Sequence, residues 1–179
     1  MLKYQATIYG HKEEQFNIWS HGIGFVASVV GTVLLLARAL ATSDSTYAVS
    51  AAVYGASLLT LYAASTLYHS AKKPKLRNRL NIFDHAAIYI LIAGTYTPFC
   101  LITLAGKVGW ILFACVWSFA VAGVILKLFF TGRYDKLSTL MYVFMGCMVI
   151  FAFKPLMAHL PTEGLYWLLG GGLSYIIGA

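Results

Sequence analysis

Long apolar runs are the feature that most constrains how this chain can fold. Six runs reach or approach the length of about 20 residues that a helix needs to cross a bilayer core of about 30 Å. Hydrophobic residues make up 60% of the chain and charged residues 11%, a composition that a soluble domain could not keep in water. We therefore predict an all-α polytopic membrane protein whose residues 1–179 form one transmembrane domain. The predicted spans cover residues 18–41, 49–68, 85–104, 109–130, 137–153 and 165–179.

The basic residues are unevenly divided between the two ends of these spans. Ten of the 13 lysines and arginines precede the first span, lie between the second and third, or lie at or between the ends of the fourth and fifth. Only Arg38, Lys107 and Lys154 fall on the other side. The positive-inside rule therefore predicts a cytoplasmic N-terminus. Because the net charge of +7 follows this topology pattern, no nucleic-acid partner is expected.

Polar side chains of the first three spans fall at one depth, near the cytoplasmic ends. Ser65 and His69 are four residues apart and share a helix face. Polar groups at membrane depth need polar partners, so they are functional candidates by default. We expect His69 and Asp84 to be partners across the turn between the second and third spans. The polar residues at this depth are Glu14, Asn17, His21, Ser65, His69, Asp84 and His85.

A metal-assisted reaction is one interpretation of this group. An imidazole with a carboxylate or water suits zinc, and an open position filled by water is typical of a catalytic zinc site. In this hypothesis His69 is the metal ligand, Asp84 holds the water or acts as general base, and Ser65 donates to a developing oxyanion. An acyl chain would enter sideways from the inner leaflet, so the predicted substrate is a lipid amide or ester.

Simpler interpretations exist for the same residues. His69 could be an ordinary interfacial histidine with hydrogen bonds, and Asp84 could favour a helix N-terminus through the helix dipole. Glu14 and Asn17 could likewise serve only the start of the first helix. The basic run between the second and third spans is most simply a topology signal, with binding of anionic headgroups at about 1 kcal/mol per charge. Its members are Lys72, Lys73, Lys75, Arg77 and Arg79.

Pro98 lies inside the third span and predicts a kink, because proline cannot donate the helical hydrogen bond to the carbonyl of Gly94. The hydroxyl of Thr95 or Thr97 is expected to bind that freed carbonyl.

The order of these motifs resembles a known family. The motifs are Glu14-x-x-Asn17-x-x-Ser20-His21, Ser65-x-x-x-His69, and Asp84-His85 leading to Ala93-Gly94-Thr95-Tyr96-Thr97-Pro98-Phe99. They resemble the haemolysin III branch of the progestin and adipoQ receptor (PAQR) superfamily over almost the whole chain. The resemblance implies a seven-helix bundle in the bacterial plasma membrane, with the N-terminus in the cytoplasm and a zinc ion near the inner leaflet.

The resemblance also implies roles for individual residues. His69 matches the histidine that ligates zinc, Asp84 matches the carboxylate that holds the zinc-bound water, and Ser65 matches the serine beside them. The family's last helix carries a His-x-x-x-His pair that supplies two more ligands. This sequence contains no such pair and stops within the sixth span. We therefore expect the sequence to be a fragment, with the other two ligands beyond Ala179.

Three functions from different classes follow from these observations. The first is a zinc-dependent, ceramidase-like lipid hydrolase, or a regulator of membrane-lipid homeostasis on the same scaffold. The second is a pore-forming, haemolytic protein, although the fourth to sixth spans show little polar periodicity to line a pore. The third is a metal-stabilised receptor or sensor without turnover.

Overall fold

The fold consists of helices that follow the predicted spans. The computed structural model describes residues 5–178; Lys3, counted in the topology prediction, and Ala179, the end of the sixth predicted span, lie outside them. The first five predicted spans correspond to helices or helical runs long and apolar enough to cross a membrane. The helices are α1 (His11–Leu40), α2 (Ser45–Ser70), α3 (Pro74–Pro98), α4 (Lys107–Phe130), α5 (Asp135–Cys147), α6 (Phe153–His159) and α7 (Thr162–Gly178).

Local signals account for several helix boundaries. The Asp44 carboxylate accepts a hydrogen bond from the backbone N–H of Thr46 at 2.8 Å and so caps the start of α2. Pro74 occupies the first turn of α3, where its missing N–H costs nothing. Gly106 precedes α4 with φ of 91°, a backbone conformation that glycine adopts without strain.

Helix α3 begins earlier than the third predicted span. It starts at Pro74 rather than near residue 85, so most of the basic run is helical and not a loop. Asp84 consequently lies about three turns inside the helix. The suggestion that Asp84 favours a helix N-terminus is therefore wrong.

The chain stays helical past Pro98 by widening into a π-helical turn over Phe99–Thr103. The expected capture of the Gly94 carbonyl by a threonine is wrong. Thr95 donates to the carbonyl of Leu91 at 2.8 Å, and Thr97 donates to that of Ala93 at 2.9 Å. A threonine in a helix bonds readily to the carbonyl four residues before it, and Pro98 itself occupies the corresponding place for Gly94.

Helix α3 is the centre of the bundle. It packs between α2 and α4 and also contacts α5, while α1 packs against α2. Tyr89 and Ala93 of α3 are fully buried, together with Val116 of α4 and Met145 of α5. Cys100 of the π-helical turn is buried with them. Interlocking packing of this kind holds helices together in lipid, where apolar burial alone gives no preference.

A substitution at Gly123 tests this packing. A methyl group at Gly123 would overlap the ring of Tyr89, which is fixed because its hydroxyl lies 2.9 Å from the Ser138 hydroxyl. We expect Gly123→Ala to lower the free energy of unfolding by about 1–3 kcal/mol, as overpacking does. Denaturation in detergent micelles measures it. Gly171→Ala in α7 is the control, because nothing lies within 4 Å of its added methyl group; equal losses in both variants would contradict the expectation.

Candidate functional site

His69 and Glu14 form the first of two polar pairs at the basic end of the bundle. This end comprises the start of α1, the α2–α3 connection and the α4–α5 connection. The Glu14 Oε2 atom lies 2.7 Å from the His69 Nδ1 atom, and the two side chains are only 14% and 8% exposed. With the proton on Nδ1, the imidazole donates to the carboxylate. Glu14 of α1 therefore fixes the ring orientation of His69, which belongs to α2.

Arg77 is the second partner of Glu14. Its Nη2 group donates to the other carboxylate oxygen, Oε1. The guanidinium also donates to the backbone carbonyl of Thr7, from Nη2 at 2.9 Å and from Nε at 3.2 Å. It lies over the Tyr68 ring, 4.6 Å from its centroid. Glu14 is thus held between an imidazole and a guanidinium, and a carboxylate with such partners is well compensated for its burial.

Residues 5–10, which we call the N-terminal strap, cross this end of the bundle. The Ala6 N–H donates to the Asn78 side-chain oxygen at 2.9 Å, and Ala6 is buried. The Tyr68 hydroxyl donates to the Thr7 carbonyl at 3.1 Å. The contacts of Thr7 with Arg77 and Tyr68 tie the strap to the same residues that surround Glu14.

His21 and Ser65 form the second pair. The His21 Nδ1 atom lies 2.6 Å from the Ser65 Oγ atom. The rings of His21 and His69 meet edge to face, with centroids 6.0 Å apart, so the two pairs are neighbours. The Asp84 carboxylate is close enough to act electrostatically on the His21 ring. Helices α1, α2 and α3 therefore each contribute polar groups to one region.

The predicted residues do not all take the expected partners. The hydrogen-bond partner of His69 is Glu14, whereas the expected partner was Asp84. Asn17 is half-buried, and its backbone carbonyl accepts from Ser20 at 3.3 Å. His85 lines a separate polar cavity with Lys127 of α4.

Sequence reasoning missed the contribution of Arg77 to the site. Arg77 was assigned to headgroups, but its side chain is 10% exposed and is bound by protein groups. A signal was present in the sequence. If α3 begins at Pro74, then Arg77, Asn81 and Asp84 are spaced i, i+4 and i+7 and share one helix face. The other four basic residues of the run are exposed: Lys72, Lys73, Lys75 and Arg79.

The surroundings of His69 can be compared with those of a metal ligand. Within residues 5–178, no three His, Cys, Asp or Glu side chains are grouped closely enough to hold a metal ion. The Glu14–His69 pair nevertheless has the form found behind metal-bound histidines, in which a carboxylate accepts from one ring nitrogen and the other binds the metal. His69 thus fits the role of one metal ligand. The described residues do not supply the other ligands that a metal ion would need.

The fold and the site together define a class: a polytopic helical membrane protein with a buried histidine–carboxylate cluster at one end. The chain belongs to the haemolysin-III related family, whose family model matches residues 9–179. The family resemblance and the prediction of a multi-pass membrane protein are therefore confirmed. A comparison with solved structures finds no match.

Individual relatives agree with this assignment. The chain is 46% identical to Hemolysin-3 of Bacillus cereus, over 94% of this chain and 77% of that protein. It is 44% identical to a Hemolysin-3 homolog of Bacillus subtilis, over 93% and 78% of the two chains. A human relative, monocyte to macrophage differentiation factor, is 30% identical over 98% of this chain and 72% of its own length.

Proposed function

We propose that the protein is a zinc-dependent hydrolase that cleaves amide or ester bonds of inner-leaflet lipids and so regulates membrane-lipid composition. The observation that carries the proposal is the 2.7 Å contact between Glu14 and His69. A carboxylate that accepts from Nδ1 fixes the tautomer of the imidazole and leaves Nε2 for a metal. A purely interfacial histidine does not need such a buried, charged partner from another helix.

The neighbouring residues fit hydrolytic roles. Asp84 would hold the attacking water or accept its proton as general base. With the proton on His21 Nδ1, the imidazole donates to Ser65 Oγ and leaves the Ser65 hydroxyl proton free to point at a substrate oxygen. Ser65 is only 3% exposed, so a hydrogen bond from it would act where water does not compete.

Zinc would supply the Lewis acidity that activates water and polarises a lipid carbonyl. Of this chain's residues, His69 would hold the ion and Asp84 would act through water. A site of this kind takes three protein ligands, and the family resemblance assigns the other two to the His-x-x-x-His pair of the family's last helix. The inner-leaflet depth of the cluster favours a substrate with an acyl chain.

Metal content tests the ligand assignment. The protein expressed from its full reading frame is expected to carry about one zinc ion, measured by elemental analysis after purification. His69→Ala is expected to lose this zinc. His159→Ala is the matched control, because His159 is exposed and its Nδ1 bonds only locally to the Pro155 carbonyl; it should retain the ion. Full zinc content in His69→Ala would refute the assignment.

Turnover separates a hydrolase from a receptor or sensor. We expect Asp84→Asn to keep its zinc and to release fatty acid from ceramide or phospholipid in liposomes at a rate reduced at least 100-fold, the usual scale for a general base. A variant that cleaves at the unaltered rate would exclude Asp84 from the reaction. Absence of cleavage by the zinc-loaded protein would favour the sensor.

The names of the bacterial relatives, Hemolysin-3, favour a lytic activity as the second candidate. Dye release from liposomes distinguishes it from hydrolysis. Leakage that persists in both His69→Ala and Asp84→Asn would support pore formation over chemistry at the site. Leakage that disappears together with lipid cleavage would identify lysis as a consequence of hydrolysis.

We also propose that anionic headgroups gather at the α2–α3 connection. The four exposed cations there would each contribute about 1 kcal/mol near an anionic surface. Arg77 is left out of this contact, because its guanidinium is engaged by Glu14 and Thr7.

A further inference from the structure

A second polar region lies at the same end of the bundle and has Thr7 of the N-terminal strap in common with the surroundings of Glu14. It is a cavity of about 460 Å³ between α3, α4, α5 and the N-terminal strap. Its position at the basic end places it at the depth of the inner headgroups. Thr7, His85, Lys127 and Asp135 are among the residues that line it.

Lys127 is the most unusual residue of this cavity. Its side chain is 5% exposed although it carries an ammonium group at the end of a membrane helix. Its hydrogen-bond partner is Asp135, with 3.1 Å between Nζ and Oδ1. An ammonium has three N–H donors, and a buried charge is costly unless they are satisfied. One carboxylate oxygen leaves Lys127 with capacity for further acceptors.

His85 adds a second group with unused hydrogen-bonding capacity. Its Nδ1 atom is buried and has no hydrogen-bond partner among the described residues. With the proton on Nδ1 the ring is a donor. A group with several acceptor oxygens would satisfy both Lys127 and His85, and phosphate is the common biological group of that kind.

Asp135 sets the charge that the rest of the ligand must carry. Its side chain is 64% exposed and lies at the start of α5, nearer the surface than the buried ammonium of Lys127. The cavity therefore presents a cation at depth and an anion at its mouth. An anionic phosphate with a cationic group beyond it matches this arrangement, whereas a purely anionic headgroup meets Asp135 unfavourably.

We propose that this cavity binds the phosphoethanolamine headgroup of an inner-leaflet lipid. The phosphate lies against Lys127 and His85, and the ammonium lies against Asp135. The acyl chains run along exposed apolar side chains of α4 and α5, among them Leu128, Leu137 and Leu140. The site uses neither His69 nor zinc, so it goes beyond the proposed hydrolase and stands or fails separately from it.

Native mass spectrometry of the full protein, released from nanodiscs with equal amounts of phosphatidylethanolamine and phosphatidylglycerol, tests the proposal. The protein is expected to retain phosphatidylethanolamine preferentially. Lys127→Gln should weaken retention at least tenfold, and Lys127→Arg should preserve it. Lys75→Gln, which removes an exposed cation at the same end, is the control and should bind as the unaltered protein does.

Asp135→Asn gives the sharpest result. Removal of this carboxylate frees the Lys127 charge, so the preference should shift from phosphatidylethanolamine to phosphatidylglycerol. Because Asp135 is exposed, this variant tests the proposal even where Lys127→Gln does not fold. An unchanged preference in Asp135→Asn, or full retention in Lys127→Gln, overturns the assignment. If free phosphoethanolamine displaces the lipid at the same concentration as the lipid, the ligand is the soluble molecule. That result would overturn the assignment of the cavity to a lipid.

Discussion

Replacing Glu14 by alanine is expected to lower the free energy of unfolding by about 3–5 kcal/mol, the scale for breaking a buried ion pair. The change removes the acceptor of both His69 and Arg77, which stay buried after it is lost. Arg77 keeps the Thr7 carbonyl but loses its opposite charge. Most of the loss arises because the guanidinium stays buried without a carboxylate partner. Chemical denaturation in detergent micelles measures the change.

Glu13→Ala provides the control for this experiment. Glu13 is the preceding residue in the first turn of α1 and carries the same charge near the same helix dipole, but it is exposed. Its replacement should change the free energy of unfolding by about 0.5 kcal/mol or less. Similar losses for both variants would mean that Glu14 acts only through the helix dipole and that its contacts with His69 and Arg77 contribute little.

Replacing Arg77 by alanine should release the N-terminal strap. Arg77 supplies donors to the Thr7 carbonyl and covers the Tyr68 ring. Loss of these contacts is expected to cost about 3 kcal/mol, which corresponds to about a 100-fold rise in the equilibrium constant for opening of the strap. Hydrogen exchange at the Ala6 amide, which is bonded to Asn78, measures it.

Arg79→Ala is the matched control, because Arg79 is an exposed residue of the same turn region of α3. Exchange at Ala6 should not change in this variant. If Arg77→Ala also left it unchanged, Asn78 and Tyr68 would hold the strap without help from the guanidinium. In the double variant Glu14→Ala with Arg77→Ala, the loss of unfolding free energy should differ strongly from the sum of the two single losses, because the two side chains are in direct contact.

The membrane fold was predictable from the sequence for a simple reason. Lipid offers no hydrogen bonds, so a spanning segment must be a helix with an apolar surface, and such runs are visible without any knowledge of packing. The predicted spans 49–68 and 109–130 match α2 and α4 within a few residues. The start of α3 was missed because its first turns are basic, and hydropathy does not report helical residues that lie outside the apolar layer.

The depth of the candidate site was also predictable, but its pairing was not. Residue number along a helix gives depth, so Ser65, His69 and Asp84 could be assigned to the same end of the bundle. Which side chains meet depends on the rotation of each helix about its axis and on where the helix begins. That rotation brings Glu14, and not Asp84, to His69.

The sequence by itself therefore determined the class of fold, the layer that holds the polar residues and the family to which the chain belongs. Only the tertiary structure decided that Arg77 turns inward while its basic neighbours stay exposed. The physical reason is that apolarity and charge are properties of individual residues, so their distribution can be read directly from the sequence. A hydrogen bond between helices instead depends on positions and angles set by the packing of the whole bundle.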